Sequence, residues 1–263
     1  MHRLYKPIRS KQANRGLFSY LTESVFNLVN FTSLNNLVPY ITQTDIKLYH
    51  DLIDIPGYGK ENLFNIGLIQ DNNDFKLNKN LYSNLEDIRG LPFDCYDPKS
   101  YDNDLRLISE RLIKKFFIPN KELSELIDKR HEEINFNTTI GVHRRATDIS
   151  MHHNIININD IFSEIESTEF TNIFLMSDNI SDSNKFKKRY GNKLITYDEF
   201  TSHNSNLPFF KLKNSNENIR NHIKELLFGV FTLRKTKKMI CTKSNISSFC
   251  ILSNHKLNYK LKF

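Results

Sequence analysis

The stretch 138–153, TTIGVHRRATDISMHH, places His143, Arg144, Arg145, Thr147 and Asp148 directly behind a β-branched, apolar run. A guanidinium just beyond a buried strand suits bidentate capture of phosphate, because its planar fork of N–H donors matches two phosphate oxygens. On extended backbone the side chains of Arg144 and Arg145 point to opposite sides, so only one of them easily faces a shared ligand. Asp148 either orients that fork or caps the next segment; an Arg–Asp pair that merely ties down the loop is the plainer alternative. Histidine ordinarily titrates at a pKa of about 6.5 and suits proton transfer near neutral pH, which marks His152 and His153. Paired histidines also suit a metal, but no carboxylate or cysteine stands at matching spacing, so no metal site is expected.

Two further polar clusters follow apolar runs. Ser177 and Asp178 come after NIFLM, where a short acid binds a ribose or base, or else caps the next helix. Thr242, Ser244, Asn245 and Ser247 lie in CTKSNISS, at a strand-to-helix turn. Hydroxyls and backbone N–H groups at a helix start make a phosphate cradle. Ordinary N-capping is the commoner use of such residues.

The elements that position these clusters alternate regularly after residue 138. Strands are expected at TTIGVH, NIFLMSD, KLITY and KMICT, and helices at NDIFSEIEST, SDSNKFKKRYG and NISSFCILSN, the second of them stopped by Gly191. A longer helix carries Ile219, Ile223, Leu226, Val230 and Leu233 on one face at helical spacing. Continuous apolar strands alternating with helices imply an α/β fold whose parallel sheet is covered on both faces. In such sheets ligands bind beyond the carboxyl ends of the strands, so all three polar clusters converge on one edge. The first half is less regular. A glycine-containing turn precedes a helix with Leu21, Val25, Leu28 and Val29 inward, a strand is expected at 39–42, and amphipathic helices at 101–117 and 120–134, the latter capped by Asn120. A boundary near 130–137 divides the chain into two Rossmann-like lobes, 1–135 and 136–263, with a cleft between them as the expected active site.

The 263 residues carry a net charge of +7, which favours an anionic partner such as a phosphorylated small molecule, a nucleic acid or a membrane surface. Lysines spread over solvated faces by an AT-rich coding bias explain the same charge. Cys95, Cys241 and Cys250 show no CxxC spacing and suggest a reducing compartment. No signal peptide and no membrane span is visible, so a cytoplasmic protein is expected. No nucleic-acid-binding signature is present and the basic residues do not gather into one arm, which argues against a specific nucleic-acid partner.

GVHRRATD resembles the H-x-R-x-x-D motif of the inverting α1,2-, α1,6- and protein O-fucosyltransferase superfamily. His143, Arg145, Thr147 and Asp148 match it without a gap, and Ala146 stands where a second arginine is usual. NIFLMSDN and LLFGVFTLRKTKKMICTKSNISSF are similar to two further segments of that superfamily, with Glu225 in place of an aspartate, and NRGLFSYL is similar to its N-terminal glycine loop. The resemblance runs through most of 138–254 and is thin before it. It implies a GT-B-like pair of lobes in which the C-terminal one binds GDP-fucose as donor substrate, with no cofactor and no metal. It further implies that Arg145 binds the β-phosphate, that Asp178 contacts the guanosine, and that Thr242, Ser244 and Asn245 contact the diphosphate. His143 then supports the loop or touches the nucleotide, and Gly16 faces the donor. A carboxylate found in some relatives after the motif is absent. That leaves His152, His153 or Glu23 as the base that deprotonates a glycan or protein hydroxyl. A transferase for another nucleotide sugar, a non-catalytic nucleotide- or nucleic-acid-binding protein, and an inactive member of the superfamily are the alternatives.

Overall fold

A computed structural model describes residues 18–19, 21–22, 25–26, 29, 64–65, 97–119, 121–146, 156–197, 199 and 216–262. Gly16, Glu23, Asn120, Thr147, Asp148, His152, His153 and the strand expected at 39–42 lie outside the described residues. The chain divides into two compact units, Met1–Glu122 with Leu252–His255, and Leu123–Ile251 with Lys256–Phe263.

In the first unit the amphipathic pattern at 101–117 forms helix α1, Asn103–Phe116, begun by Asp102, whose carboxylate accepts from the Leu105 N–H at 2.7 Å. Its Leu105, Leu112 and Ile113 are fully buried, and Leu21, Val25 and Val29 are buried in the helical segment before it. A two-residue antiparallel pair, β1 (Phe64–Asn65) with β2 (Ile118–Pro119), belongs to this unit and was not expected from the sequence. Glu110 of α1 ties down the turn at 252–255. Its Oε2 accepts from the His255 backbone N–H at 2.8 Å and contacts the His255 ring, and its Oε1 pairs with Lys114.

The second unit opens with helix α2, Lys121–His131, most of which lies in it. There follow β3 (Thr139–Arg144), α3 (Ile158–Glu166), β4 (Asn172–Ser177), α4 (Ile180–Tyr190), β5 (Leu194–Thr196), α5 (Asn216–Leu233), β6 (Lys238–Thr242), α6 (Asn245–Leu252) and β7 (Tyr259–Lys262). All five of these strands are parallel, in the order β5-β4-β3-β6-β7. The four strands expected here are present and a fifth, β7, joins at the edge. The chain winds outward from β3 through β4 to β5, then returns through α5 to place β6 on the other side of β3. The sheet order therefore reverses between β3 and β6.

Alternation along β3 assigns its side chains to two faces. Ile140 and Val142 join Ile161, Phe162, Ile165, Ile173, Leu175 and Phe186 in the core beneath α3 and α4. Gly141 faces α5, where a Cβ would meet Thr236 Oγ1 at 2.6 Å and Leu233 Cδ2 at 2.9 Å. On that same face Phe174 meets Phe228 edge-on at 5.9 Å. Local signals set the helix ends: the Asn179 side chain accepts from the Asp182 N–H at 3.1 Å to start α4, and Gly191, at φ 54°, ends it. In α5 Ile223, Leu227, Phe228, Val230, Phe231 and Leu233 are buried, a wider face than the expected stripe, and Leu226 is only half-buried.

Candidate functional site

The carboxyl ends of β3, β4 and β6 bring the three polar clusters together. The Arg145 N–H donates to Thr242 Oγ1 at 3.1 Å, and the Ala146 N–H donates to Asp178 Oδ1 at 2.8 Å. Two consecutive amides after β3 are thus held by one residue from β6 and one just past the end of β4. The segment leaves the sheet on a fixed course, and Arg145 is half-exposed where the strand ends.

His143 is the last side chain on the α5 face of β3, and it is 4% exposed. Its Nδ1 lies 2.8 Å from Ser247 Oγ and 3.3 Å from Ser244 Oγ. Burial pushes its pKa down to about 3, and the positive charge of Arg145 adds to the effect. The imidazole is therefore neutral at physiological pH. Ser244 starts α6 by accepting from the Ser247 N–H at 3.1 Å, so for this hydroxyl ordinary N-capping holds. Thr242, 1% exposed, supports the Arg145 amide, and Asn245 is half-buried in the first turn of α6.

Arg144 goes the other way. It continues the Ile140 and Val142 face, is 3% exposed, and its Nε donates to Asp182 Oδ2 at 3.0 Å. The Asp182 Oδ1 also pairs with Lys185 at 3.1 Å. An Arg–Asp pair that ties down structure does exist here, but between Arg144 and a helix residue. Asp178 is not the cap of α4, a role taken by Asn179, and Ser177 accepts from the Asn179 N–H at 3.2 Å. Sequence reasoning passed over Asp182, which reads as an ordinary first-turn acid, and it grouped Ser247 with the other hydroxyls without a role of its own.

The arrangement offers the Arg145 guanidinium, a neutral imidazole and a helix start at the edge where the strand order reverses, the position at which open α/β sheets bind ligands. A guanidinium and the first turn of a helix both favour an anion. Among the described residues no group of three or more His, Cys, Asp or Glu side chains is placed to hold a metal ion. Among them, too, no helix is long and apolar enough to cross a membrane.

No sequence profile of a known family matches the chain, and no curated protein sequence matches it. Solved fucosyltransferase structures are similar to it. NodZ α-1,6-fucosyltransferase soaked with GDP-fucose superposes at a TM-score of 0.41 and 16% identity, over 57% of this chain and 47% of NodZ. The fucosyltransferase NodZ from Bradyrhizobium gives 0.38 and 16%, over 55% and 45%. A variant of Arabidopsis thaliana FUT1 in complex with GDP gives 0.37 and 11%, over 60% and 35%. The chain spans less than half the length of each of these proteins.

Proposed function

We propose that the chain is an inverting glycosyltransferase that moves fucose from GDP-fucose to a glycan or protein hydroxyl, without a metal. The observation that carries this reading is the joint between β3 and β6. Thr242 fixes the Arg145 amide at 3.1 Å, so the arginine is anchored on the reversal point of the sheet beside the start of α6. The order and spacing of His143, Arg145, Asp178, Thr242, Ser244 and Asn245 support it, because they resemble those of the fucosyltransferase motif and its later segments, with Asn245 where a serine is usual.

In the reaction the acceptor oxygen forms a bond to the anomeric carbon while the bond from that carbon to the β-phosphate oxygen breaks. The bonding electrons leave with GDP. Arg145 meets the negative charge growing on the diphosphate, a charge already opposed before the reaction starts and so cheap to stabilise. Neutral His143 adds no second cation. Asp178 keeps one carboxylate oxygen on the Ala146 amide while its other side addresses the guanosine. By the same resemblance Asp148 supports the action of Arg145, His152 or His153 accepts the acceptor's proton, and Gly16 contributes to donor binding. Residues 1–135 hold the acceptor and 136–263 the donor.

Thermal shift in metal-free buffer with GDP, GMP, UDP and a DNA oligonucleotide tests the reading. A GDP-specific shift that Arg145→Ala abolishes is expected, together with slow release of free fucose from GDP-fucose. A shift with UDP alone points to another nucleotide sugar. Binding only to DNA, with steep salt dependence, overturns the proposal.

A further inference from the structure

Behind the half-exposed Arg145 lies a hydrogen-bond chain with a single consistent proton assignment. Ser247 Oγ lies 2.7 Å from the carbonyl oxygen of Thr242, and a carbonyl can only accept. The one proton of the Ser247 hydroxyl is therefore given to Thr242. The contact at 2.8 Å between Ser247 Oγ and His143 Nδ1 must then run from the ring, with Nδ1–H as donor. Ser244 Oγ, 3.3 Å from both Ser247 Oγ and His143 Nδ1, accepts the Ser247 N–H at 3.1 Å and leaves this order intact. Every member is buried: Ser247 is 0% exposed, Thr242 1%, His143 4% and Ser244 8%.

We propose that Ser247 is a positioning residue that locks His143 as the Nδ1–H tautomer, so that Nε2 is an obligate hydrogen-bond acceptor at the carboxyl edge of β3. Among the described residues Nε2 has no hydrogen-bond partner. What it takes from a ligand is a hydroxyl or an N–H, never a phosphate oxygen, which leaves anion capture to Arg145. The pattern divides the labour of two residues only two positions apart. One recognises charge, and the other recognises a donor hydrogen and rejects a second anionic oxygen. The ligand side of this assignment rests on the nucleotide-sugar reading; the tautomer does not.

Nitrogen-15 NMR of the histidine-labelled full chain reads the tautomer directly, with the His143 signals identified by their loss in His143→Gln. Wild type is expected to show Nδ1 protonated and Nε2 bare, unchanged from pH 8 to pH 5. Ser247→Ala is expected to release the ring to the Nε2–H form or a mixture, and to weaken GDP binding about tenfold, the cost of one mispaired buried hydrogen bond. Wild-type His143 in the Nε2–H form, or as imidazolium at pH 6, overturns the proposal whether or not the variant folds. A tautomer unchanged in folded Ser247→Ala overturns the positioning role. Nδ1–H in wild type that Ser247→Ala releases, without any GDP binding by the wild type, upholds the lock and rejects the nucleotide reading instead.

Discussion

Arg144 Nε donates to Asp182 Oδ2 at 3.0 Å with both side chains at least nine-tenths buried, so the end of β3 is bolted to the first turn of α4. Breaking a buried pair by removing one partner leaves the other charge desolvated and unmatched, a loss of about 3–5 kcal/mol. Arg144→Ala is therefore expected to lower stability by about that amount in denaturant unfolding. A loss below about 1 kcal/mol contradicts the bolt.

Arg145 is expected to behave in the opposite sense. It is half-exposed, so Arg145→Ala should lower the unfolding midpoint less than Arg144→Ala does, while transfer from GDP-fucose falls at least ~100-fold, the usual cost of deleting a preformed donor to a developing anion. Comparing midpoint and turnover in the two arginine variants separates the pair cleanly. Equal activity losses in folded proteins contradict the division.

Thr242→Val keeps the shape of the side chain and deletes the acceptor for the Arg145 amide. The Arg145 N–H is only part-buried, so losing its acceptor costs about 1 kcal/mol, and a several-fold to roughly tenfold fall in kcat/KM is expected, with Arg145 present but less well held. Steady-state kinetics on the purified variant check it.

Acid sensitivity should start earlier than carboxylates alone dictate. Burial lowers the pKa of His143 to about 3 and that of His131 to about 4, each below its unfolded value of about 6.5. The unfolded chain then binds more protons than the folded one below about pH 6.5. Stability is whole above that pH and falls as pH drops toward 4, with a slope approaching about 1.4 kcal/mol per pH unit for each group. His143→Gln should flatten this slope by one group's share in urea titrations between pH 6.5 and 4.5. An unchanged slope contradicts the buried neutral imidazole.

Gly141 gives a packing test. Thr236 Oγ1 is 2.6 Å from where a Cβ would sit, and it already donates to the Leu233 carbonyl at 2.8 Å, so it is poorly free to move. Gly141→Ala should cost about 1–3 kcal/mol by overpacking, visible as a lower melting temperature.

What was legible in the sequence follows from burial. The strands at 139–144, 172–177 and 238–242 are covered on both faces, so their middle residues, Ile140–Val142, Ile173–Met176 and Met239–Cys241, are apolar and the runs stand out. β7 has Tyr259, Leu261 and Lys262 only half-buried and Lys260 exposed, and four alternating residues at a sheet edge look like a loop. The convergence of the three polar clusters was readable because strand ends in a parallel sheet share an edge. Their partners were not. Whether Asp178 caps a helix or holds an amide depends on a hydrogen bond across 32 positions, and Asn179, equally suited, took the cap. Arg144 found its acid 38 residues onward, and Ser247 found His143 across 104. Chemical type announces that such a residue is polar, but the crossover that returns the chain beside β3 decides what it meets.

β7 has one more consequence, for self-association. A terminal strand presents unpaired N–H and C=O groups to any other chain that could add itself there. Here Lys260 is exposed, and Lys262 Nζ is anchored at 2.8 Å to Glu164, which also holds Lys238 at 2.7 Å. An incoming strand would have to bury the first lysine and disturb the acid that holds the second. The residues that made this strand inconspicuous in the sequence are the ones an added strand would have to displace at this edge.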